Sequence, residues 1–287
     1  MSITVQNALA DAMLNLFDTS SSPEIDAEVL LGHSLKQSRA WLLTYQEEEL
    51  SEEQITEFQT LVDRRKNGEP IAYILGEREF WSLNLNVNSF TLIPRPETEV
   101  LVEVALEKAQ LPFRGIMSIA DLGTGSGAIA LALASELTNA FITATDKSDE
   151  ALTVAKHNAE QLGLSNVEFL NSDWFNNLSD HRFNIICSNP PYIENLDPHL
   201  QQGDLRFEPQ SALASGPDGL FDIQHIISQA QHYLHADGWV ILEHGFQQSE
   251  RIHTFLTEAG FVNINTREDY SGHPRITCGQ KPLIPAL

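Results

Sequence analysis

A chain of 287 residues, 42% hydrophobic and 20% charged, has the composition of a soluble globular protein. It is long enough for one large domain with a smaller one appended, and it fits neither a fibrous nor a disordered class. Seventeen basic against 40 acidic residues give a net charge of −23; a surface that acidic repels a phosphate backbone and makes nucleic acid a poor candidate for the main substrate.

The same acidity would draw in a basic protein partner, or serve solubility alone. The first residues, MSITVQNALADAM, show no basic region followed by a long apolar run. The longest apolar stretches, such as Trp239 to Leu242, fall far short of a membrane span, so the chain is expected to stay off the membrane, in the cytoplasm. Cys187 and Cys278 stand far apart and predict core residues rather than a disulfide or a zinc site. His232 and His235 lack a carboxylate or cysteine at ligand spacing, which predicts a solvated helix face and no metal.

In chain order, residues 1 to about 70 read as a small helical bundle. Ile25, Val29, Leu30 and His33 recur near helical spacing after a Ser-Ser-Ser-Pro start. Ser51 and Gln54 have capping-box spacing, and Ile55, Phe58, Leu61 and Val62 continue as an apolar stripe up to Gly68 and Pro70. From Ile71 to Phe90 the pattern turns to alternation, which predicts a short β-hairpin. Strands are then expected near 117–122, 140–146, 166–170, 182–188, 237–243, 261–266 and 274–279, with helices between most of them. Such alternation builds an α/β fold, a mainly parallel sheet covered by helices on both faces, with ligands beyond the carboxyl ends of the strands.

The first expected strand of that series runs straight into Gly123-Thr124-Gly125-Ser126-Gly127, and a helix follows at once. Glycines permit a sharp turn and leave the backbone open to a ligand. Asp146, at the end of the next strand and 19 residues beyond Gly127, is placed to accept both hydrogen bonds of a ribose diol. No Lys-Ser or Lys-Thr closes the loop, which excludes the triphosphate cradle, and the spacing differs from the dinucleotide pattern. A nucleoside without a pyrophosphate, such as S-adenosylmethionine, fits better. Trp174, just past the third strand, offers an aromatic face to an adenine or to the core; spacing alone leaves both open.

The strand at 182–188 ends in Asn189-Pro190-Pro191-Tyr192. Two prolines fix φ and remove two backbone donors, leaving carbonyls that can only accept. With the Asn189 side-chain oxygen and the Pro190 carbonyl accepting its two N–H bonds, a planar amide or amino nitrogen would be held with its out-of-plane face toward a methyl donor. An amide nitrogen is a poor nucleophile, so positioning and stabilisation of developing charge must do most of the acceleration. Tyr192 could stack on the amide. The alternative is a stiff turn with a packed tyrosine, which the position of the motif in this sheet disfavours.

Together with YILGEREFW at 73–81, LIPRPETE at 92–99, DLGTGSG at 121–127, RFEP at 206–209 and EHG at 243–245, these motifs resemble the protein N5-glutamine methyltransferases, and within them the branch that modifies the Gly-Gly-Gln loop of class-I peptide-chain release factors. The resemblance implies a Rossmann-like class I methyltransferase domain with a seven-stranded sheet, preceded by a helical N-terminal domain. It implies S-adenosylmethionine as cofactor, held by residues 123–127, Asp146, Trp174 and Asn189, and substrate contacts at Asn189, Pro190, Pro191 and Tyr192. The expected division is a substrate-recognition domain at 1–72, a hairpin linker at 73–92 and the methyltransferase domain at 93–287. A ribosomal-protein glutamine remains an alternative substrate. Adenine-N6 methylation of DNA shares the donor geometry but is disfavoured by charge, and a binding module without activity is disfavoured by the intact 189–192 motif. The long stretch from Ile193 to Gly216 is expected either to line the substrate groove or to be a disordered insert.

Overall fold

A computed structural model describes residues 3–113, 115–179 and 181–283. The chain forms two compact units: residues up to Glu77 together with 202–207, and residues 78–201 together with 208 onward.

The first unit contains β1 (Ile3–Thr4), α1 (Val5–Leu16), α2 (Pro23–Leu35), α3 (Arg39–Thr44), β2 (Glu49–Leu50), α4 (Glu52–Lys66) and α5 (Ile71–Leu75). Strands β1 and β2 pair through two residues each, too few to show a periodicity in sequence. The capping box forms as expected: Ser51 Oγ accepts from Gln54 N and Gln54 Oε1 accepts from Ser51 N. Val5, Leu16, Leu30, Leu31, Leu42 and Phe58 make up much of the core.

Two expectations fail in this unit. Of the apolar stripe on α2, only Leu30 is buried, while Ile25 and Val29 are 56% and 37% exposed. The inward face instead carries Asp26, Ala27, Leu30 and Leu31, because Arg65 Nε of α4 donates to Asp26 Oδ2 at 2.7 Å and turns that carboxylate inward. Residues 71–75 are helical rather than extended. All five are apolar or aromatic, so they carry no alternation to read, and the helix is set by its ends: Pro70 precedes it and Gly76, at φ +78°, stops it. The segment 202–207 joins this unit through Asp204, 3.2 Å from Arg65, and through Arg206, which donates to the Asn67 carbonyl.

The second unit begins at Arg78, within the hairpin of β3 (Glu77–Phe80) and β4 (Leu83–Asn86). Its two-residue turn, Trp81-Ser82, is left-handed at both positions, with φ +54° and +57°, the twist a tight hairpin requires. Phe80 and Leu85 are buried in the same cluster as Val100 and Ile129, each contributing roughly 1.5–3 kcal/mol, so the hairpin is part of this unit's core.

There follow α6 (Glu99–Ala109), β5 (Ser118–Leu122), α7 (Ala128–Glu136), β6 (Phe141–Asp146), α8 (Asp149–Leu162), β7 (Val167–Asn171), β8 (Phe183–Ser188), α9 (Phe221–Tyr233), β9 (Leu234–Glu243), α10 (Ser249–Glu258), β10 (Val262–Glu268) and β11 (Pro274–Gln280). Seven strands form one sheet in the order β10-β11-β9-β8-β5-β6-β7, with β11 antiparallel to both neighbours and the remainder parallel. This is the class I methyltransferase arrangement. All six residues of β8 are buried, as a central parallel strand covered on both faces requires. Strand β9 starts three residues before its expected limit, at Leu234, and passes through Asp237 at φ +65° with a register shift against β8; the turn-like His-Ala-Asp-Gly composition concealed that part. Cys187 and Cys278 are buried and unpaired, and burial raises both thiols above their ordinary range.

From β5 the chain winds outward through β6 and β7, then returns to place β8 on the other side of β5. The change of direction opens a crevice at the carboxyl ends of β5 and β8.

Candidate active site

Two strand registers build the site. Leu122 stands opposite Thr145 in β6 and opposite Ser188 in β8, so the residues that follow these three, Gly123, Asp146 and Asn189, leave the sheet side by side. The glycine turn, Asp146, Trp174, Asn189 and Pro191 line one cleft, closed on another side by Leu92, Pro94 and Thr98.

The turn is shaped by positive φ at Gly123, Gly125 and Gly127, +74°, +57° and +88°, which residues with a β-carbon rarely adopt. Gly123 N and Thr124 N both donate to the Thr145 carbonyl, at 2.9 and 2.8 Å. Gly125 N donates to Asp146 Oδ2 and Ser148 N to Asp146 Oδ1, each at 2.9 Å. An ionised carboxylate has about four lone-pair sites, so Asp146 is held rigidly and still keeps acceptor capacity toward the cleft. Beneath the turn, Asp121 Oδ2 accepts from Thr124 Oγ1 at 2.6 Å and from Ala130 N at 3.2 Å. Its Oδ1 is buried with no partner among the described residues. Burial, aided by the Asp146 charge and opposed by those two hydrogen bonds, raises the Asp121 carboxyl to about 7.

The Trp174 indole faces the cleft and lies across Gly123. Its Nε1 donates to Asp222 Oδ1 at 3.2 Å, and Asp222 is fixed in turn by Ser215, whose hydroxyl donates to Oδ2 at 2.6 Å. The ring is therefore locked as a flat wall beside the glycine turn, and it also packs against the core layer below the sheet.

At the 189–192 corner, Asn189 and Pro191 face the cleft, whereas Pro190 and Tyr192 are not among the residues lining it. Ser188 Oγ donates to the Leu122 carbonyl at 2.7 Å, and Gln248 Nε2 donates to the Tyr192 carbonyl at 3.0 Å. The Tyr192 hydroxyl is 3.2 Å from Glu243 Oε1, and its ring packs among buried apolar residues. A ring so placed braces the corner rather than stacking over the cleft. Burial, with the Glu243 charge, raises the Tyr192 phenol well above its usual value. Glu243 itself is raised to about 7, chiefly by burial and against the pull of Thr98, Arg275 and Tyr192.

The glycine turn, Asp146, Trp174, Asn189 and Pro191 thus meet at one cleft, with Pro190 and Tyr192 outside its lining, and part of the cleft came without a sequence signal. Phe90 and Thr91, which lie before the sheet begins, had none, whereas Ser211 and Ala212 belong to the 193–216 stretch, one expected place of which was the groove wall. That segment is ordered, a series of 3-10 turns at 198–201, 203–207 and 210–212 with a bridge from Ile193 to Ala214. Glu208 within it pairs with Arg95 at 2.5 Å. The proline pair at 94 and 96 flanking Arg95 was the one hint that the 90–98 stretch is rigid. Among the described residues no group of three or more His, Cys, Asp or Glu could hold a metal ion, and no helix is long and apolar enough to cross a membrane.

Comparison with known proteins gives consistent matches. The PrmC N-terminal domain family matches residues 7–76 and the methyltransferase small domain family residues 97–207. The release factor glutamine methyltransferase of Vibrio cholerae is 49% identical over 282 residues, 98% of each chain. That of Escherichia coli is 47% identical over 275 residues, covering 96% of this chain and 98% of its own. A methyltransferase structure from Pyrococcus furiosus, 19% identical with a TM-score of 0.52 over 70% of this chain and 89% of its own, shares the fold.

Proposed function

The chain belongs to the release factor glutamine methyltransferase family, and from that premise we propose that the cleft joining the glycine turn to the Asn189 corner is where it carries out the family reaction. It is an S-adenosylmethionine-dependent enzyme that methylates the side-chain amide nitrogen of the glutamine in the Gly-Gly-Gln motif of class-I peptide-chain release factors. The observation that carries the site assignment is the register of Leu122 with Ser188, which sets the two motifs at adjacent strand ends.

The cleft suits this cofactor. Gly123 to Gly127 allow close backbone approach, Asp146 has lone pairs for a ribose diol, and the fixed Trp174 face suits an adenine. When bound, S-adenosylmethionine supplies a methyl group already activated by the positive charge on its sulfur. The protein's own contribution is orientation. We assign Asn189 Oδ1, on the cleft wall, and the Pro190 carbonyl, bonded to the cleft-lining Pro191, to accept the two N–H bonds of the glutamine amide, with Pro191 holding their spacing by fixing φ. As the nitrogen gains a bond it gains positive charge, and acceptors aimed at its hydrogens stabilise that charge at no further cost in reorganisation. Tyr192 serves by anchoring the corner to Glu243.

We assign recognition of the release factor to the helical unit and catalysis to the sheet unit, whose core takes in the hairpin expected as a 73–92 linker. We also assign the protein to the cytoplasm, where its substrate acts in translation.

The test is methyl transfer from labelled cofactor to a release factor, to the same factor with its Gly-Gly-Gln glutamine changed to alanine, to ribosomal protein and to DNA. Label in the first alone is expected. Label that survives the alanine change, or that appears only in ribosomal protein or DNA, overturns the assignment.

A further inference from the structure

Asn189 and Pro190 can present two acceptors at a fixed angle only if the chain on both sides of them is held. Their prolines fix φ at 190 and 191, but rotation about ψ at Asn189, Pro190 and Pro191, and about both bonds of Tyr192, is left to the surroundings. On the entering side the Ser188 hydroxyl is tied to the Leu122 carbonyl at 2.7 Å. On the leaving side the Tyr192 carbonyl is tied by the side chain of Gln248.

Gln248 stands at the start of α10, and its backbone N–H donates to the Gly245 carbonyl at 2.9 Å, which sets it against the end of β9. Its amide fits in one orientation. Gly245 N can only donate, and it reaches Gln248 Oε1 at 2.9 Å. Backbone carbonyls can only accept, and three of them face Nε2: Tyr192 at 3.0 Å, and Asp218 and Gly219 at 3.4 Å each. With Oε1 engaged, Nε2 is aimed at the Tyr192 carbonyl.

The approach is close. Gly219 lies at φ +71°, and a β-carbon on it would fall 2.2 Å from the Tyr192 oxygen and 2.9 Å from Gln248 Nε2. The chain that leaves the corner at Ile193 also returns beside it, where Ser215 N donates to the Ile193 carbonyl and Asn195 N to the Gly216 carbonyl, both at 2.9 Å. Gln248 thus sits at the neck of the loop that contributes Pro209, Ser211 and Ala212 to the cleft. It is half-buried, so its exchange removes little core packing.

We propose that Gln248 is a positioning residue for methyl transfer, its side-chain amide holding the Tyr192 carbonyl so that Asn189 Oδ1 and the Pro190 carbonyl keep the angle at which they receive the substrate amide. The inference rests on the reading that these two groups accept the glutamine amide.

Gln248→Glu, Gln248→Met, Arg251→Ala and Asn189→Ala test it, with kcat and kcat/KM on release factor, cofactor Kd by calorimetry and thermal midpoint measured for each. Glutamate keeps the outline of glutamine and the acceptor for Gly245 N, but at about pH 8 it is ionised and turns a second oxygen toward the Tyr192 carbonyl. Gln248→Glu should lower kcat and kcat/KM together by about 10-fold or more, with cofactor Kd within about 2-fold. Gln248→Met removes the donor without adding repulsion and should lose about 3- to 10-fold. Arg251→Ala cuts a different tie at the same neck, the exposed 2.8 Å pair with Asp218, and should stay within about 2-fold of the parent. A role in filling space alone predicts Gln248→Glu more active than Gln248→Met, and a role in ordering the neck alone predicts equal losses in Gln248→Met and Arg251→Ala; either result overturns the proposal. Should the thermal midpoint show Gln248→Glu unfolded at the assay temperature, Gln248→Met decides, and turnover within about 2-fold of the parent overturns the proposal. Asn189→Ala separates the two layers: near-normal turnover there removes the underlying reading and the proposal with it, whereas an inactive Asn189→Ala beside a fully active Gln248→Glu removes only the role of Gln248.

Discussion

Trp174 lies across Gly123, its Cζ3 only 3.3 Å from the point a β-carbon on that glycine would occupy. The glycine also sits at φ +74°. Gly123→Ala therefore meets strain of about 1–2 kcal/mol from the backbone and displaces the indole from its place on the cleft wall. Cofactor binding should weaken by about 10-fold or more, read by calorimetry; unchanged affinity would show that the contact is incidental.

Asp146 joins two tasks, holding Gly125 N and Ser148 N while offering its remaining lone pairs to the cleft. Asp146→Ala is expected to raise the cofactor Kd by at least about 10-fold, with a much smaller change in kcat once cofactor is saturating. A fall confined to kcat would argue against the ribose role.

Loss of a preorganised polar group at a reacting centre costs about 10²-fold or more in turnover. Asn189→Ala should show a loss of that size in a methylation assay on release factor, while its thermal midpoint stays close to the parent's.

Arg65 is buried against Asp26, at 2.7 Å, and also meets Asp204, at 3.2 Å. Removing one partner of a buried pair strands the other, at a cost of about 3–5 kcal/mol. Arg65→Ala should show that destabilisation in urea unfolding of the full chain, and a loss below about 1 kcal/mol would place the pair with surface ion pairs instead.

Asp121 and Glu243 are both raised to about 7 by burial, well above the ordinary carboxylate range. Through the interval from about 4 to 7 the folded chain holds protons that the unfolded chain has released. Stability contributed by these groups therefore falls as pH rises through that interval and stays low above it. Asp121→Asn removes one of the two, so the decline in denaturation midpoint from pH 5 to pH 8 should be shallower than in the parent. An identical decline would mean that Asp121 titrates normally.

The sheet was readable because its central strands are short apolar runs ended by residues that cannot continue them, Gly123 after β5 and Asn189-Pro190 after β8. The same strand-end logic pointed to Asp146, and all three converge on one cleft. What lay beyond reading depended on relations across the chain. Which side of α2 is buried was decided by Arg65, 39 residues away from Asp26. The helix at 71–75 was set by its flanking proline and glycine, since an all-apolar run has no period. The orientation of Tyr192 followed from Glu243, whose place beside the corner exists only once β8 and β9 are in register. Spacing along a single strand contains none of this.

Membership of 202–207 in the helical unit has a practical result for anyone cloning or recombining this protein. A fragment cut after Glu77 would lack Asp204 and Arg206, leaving Arg65 short of an ion partner and the Asn67 carbonyl short of a donor. Chimaeras that exchange the helices with those of a relative should carry this hexapeptide along as a second, separate graft.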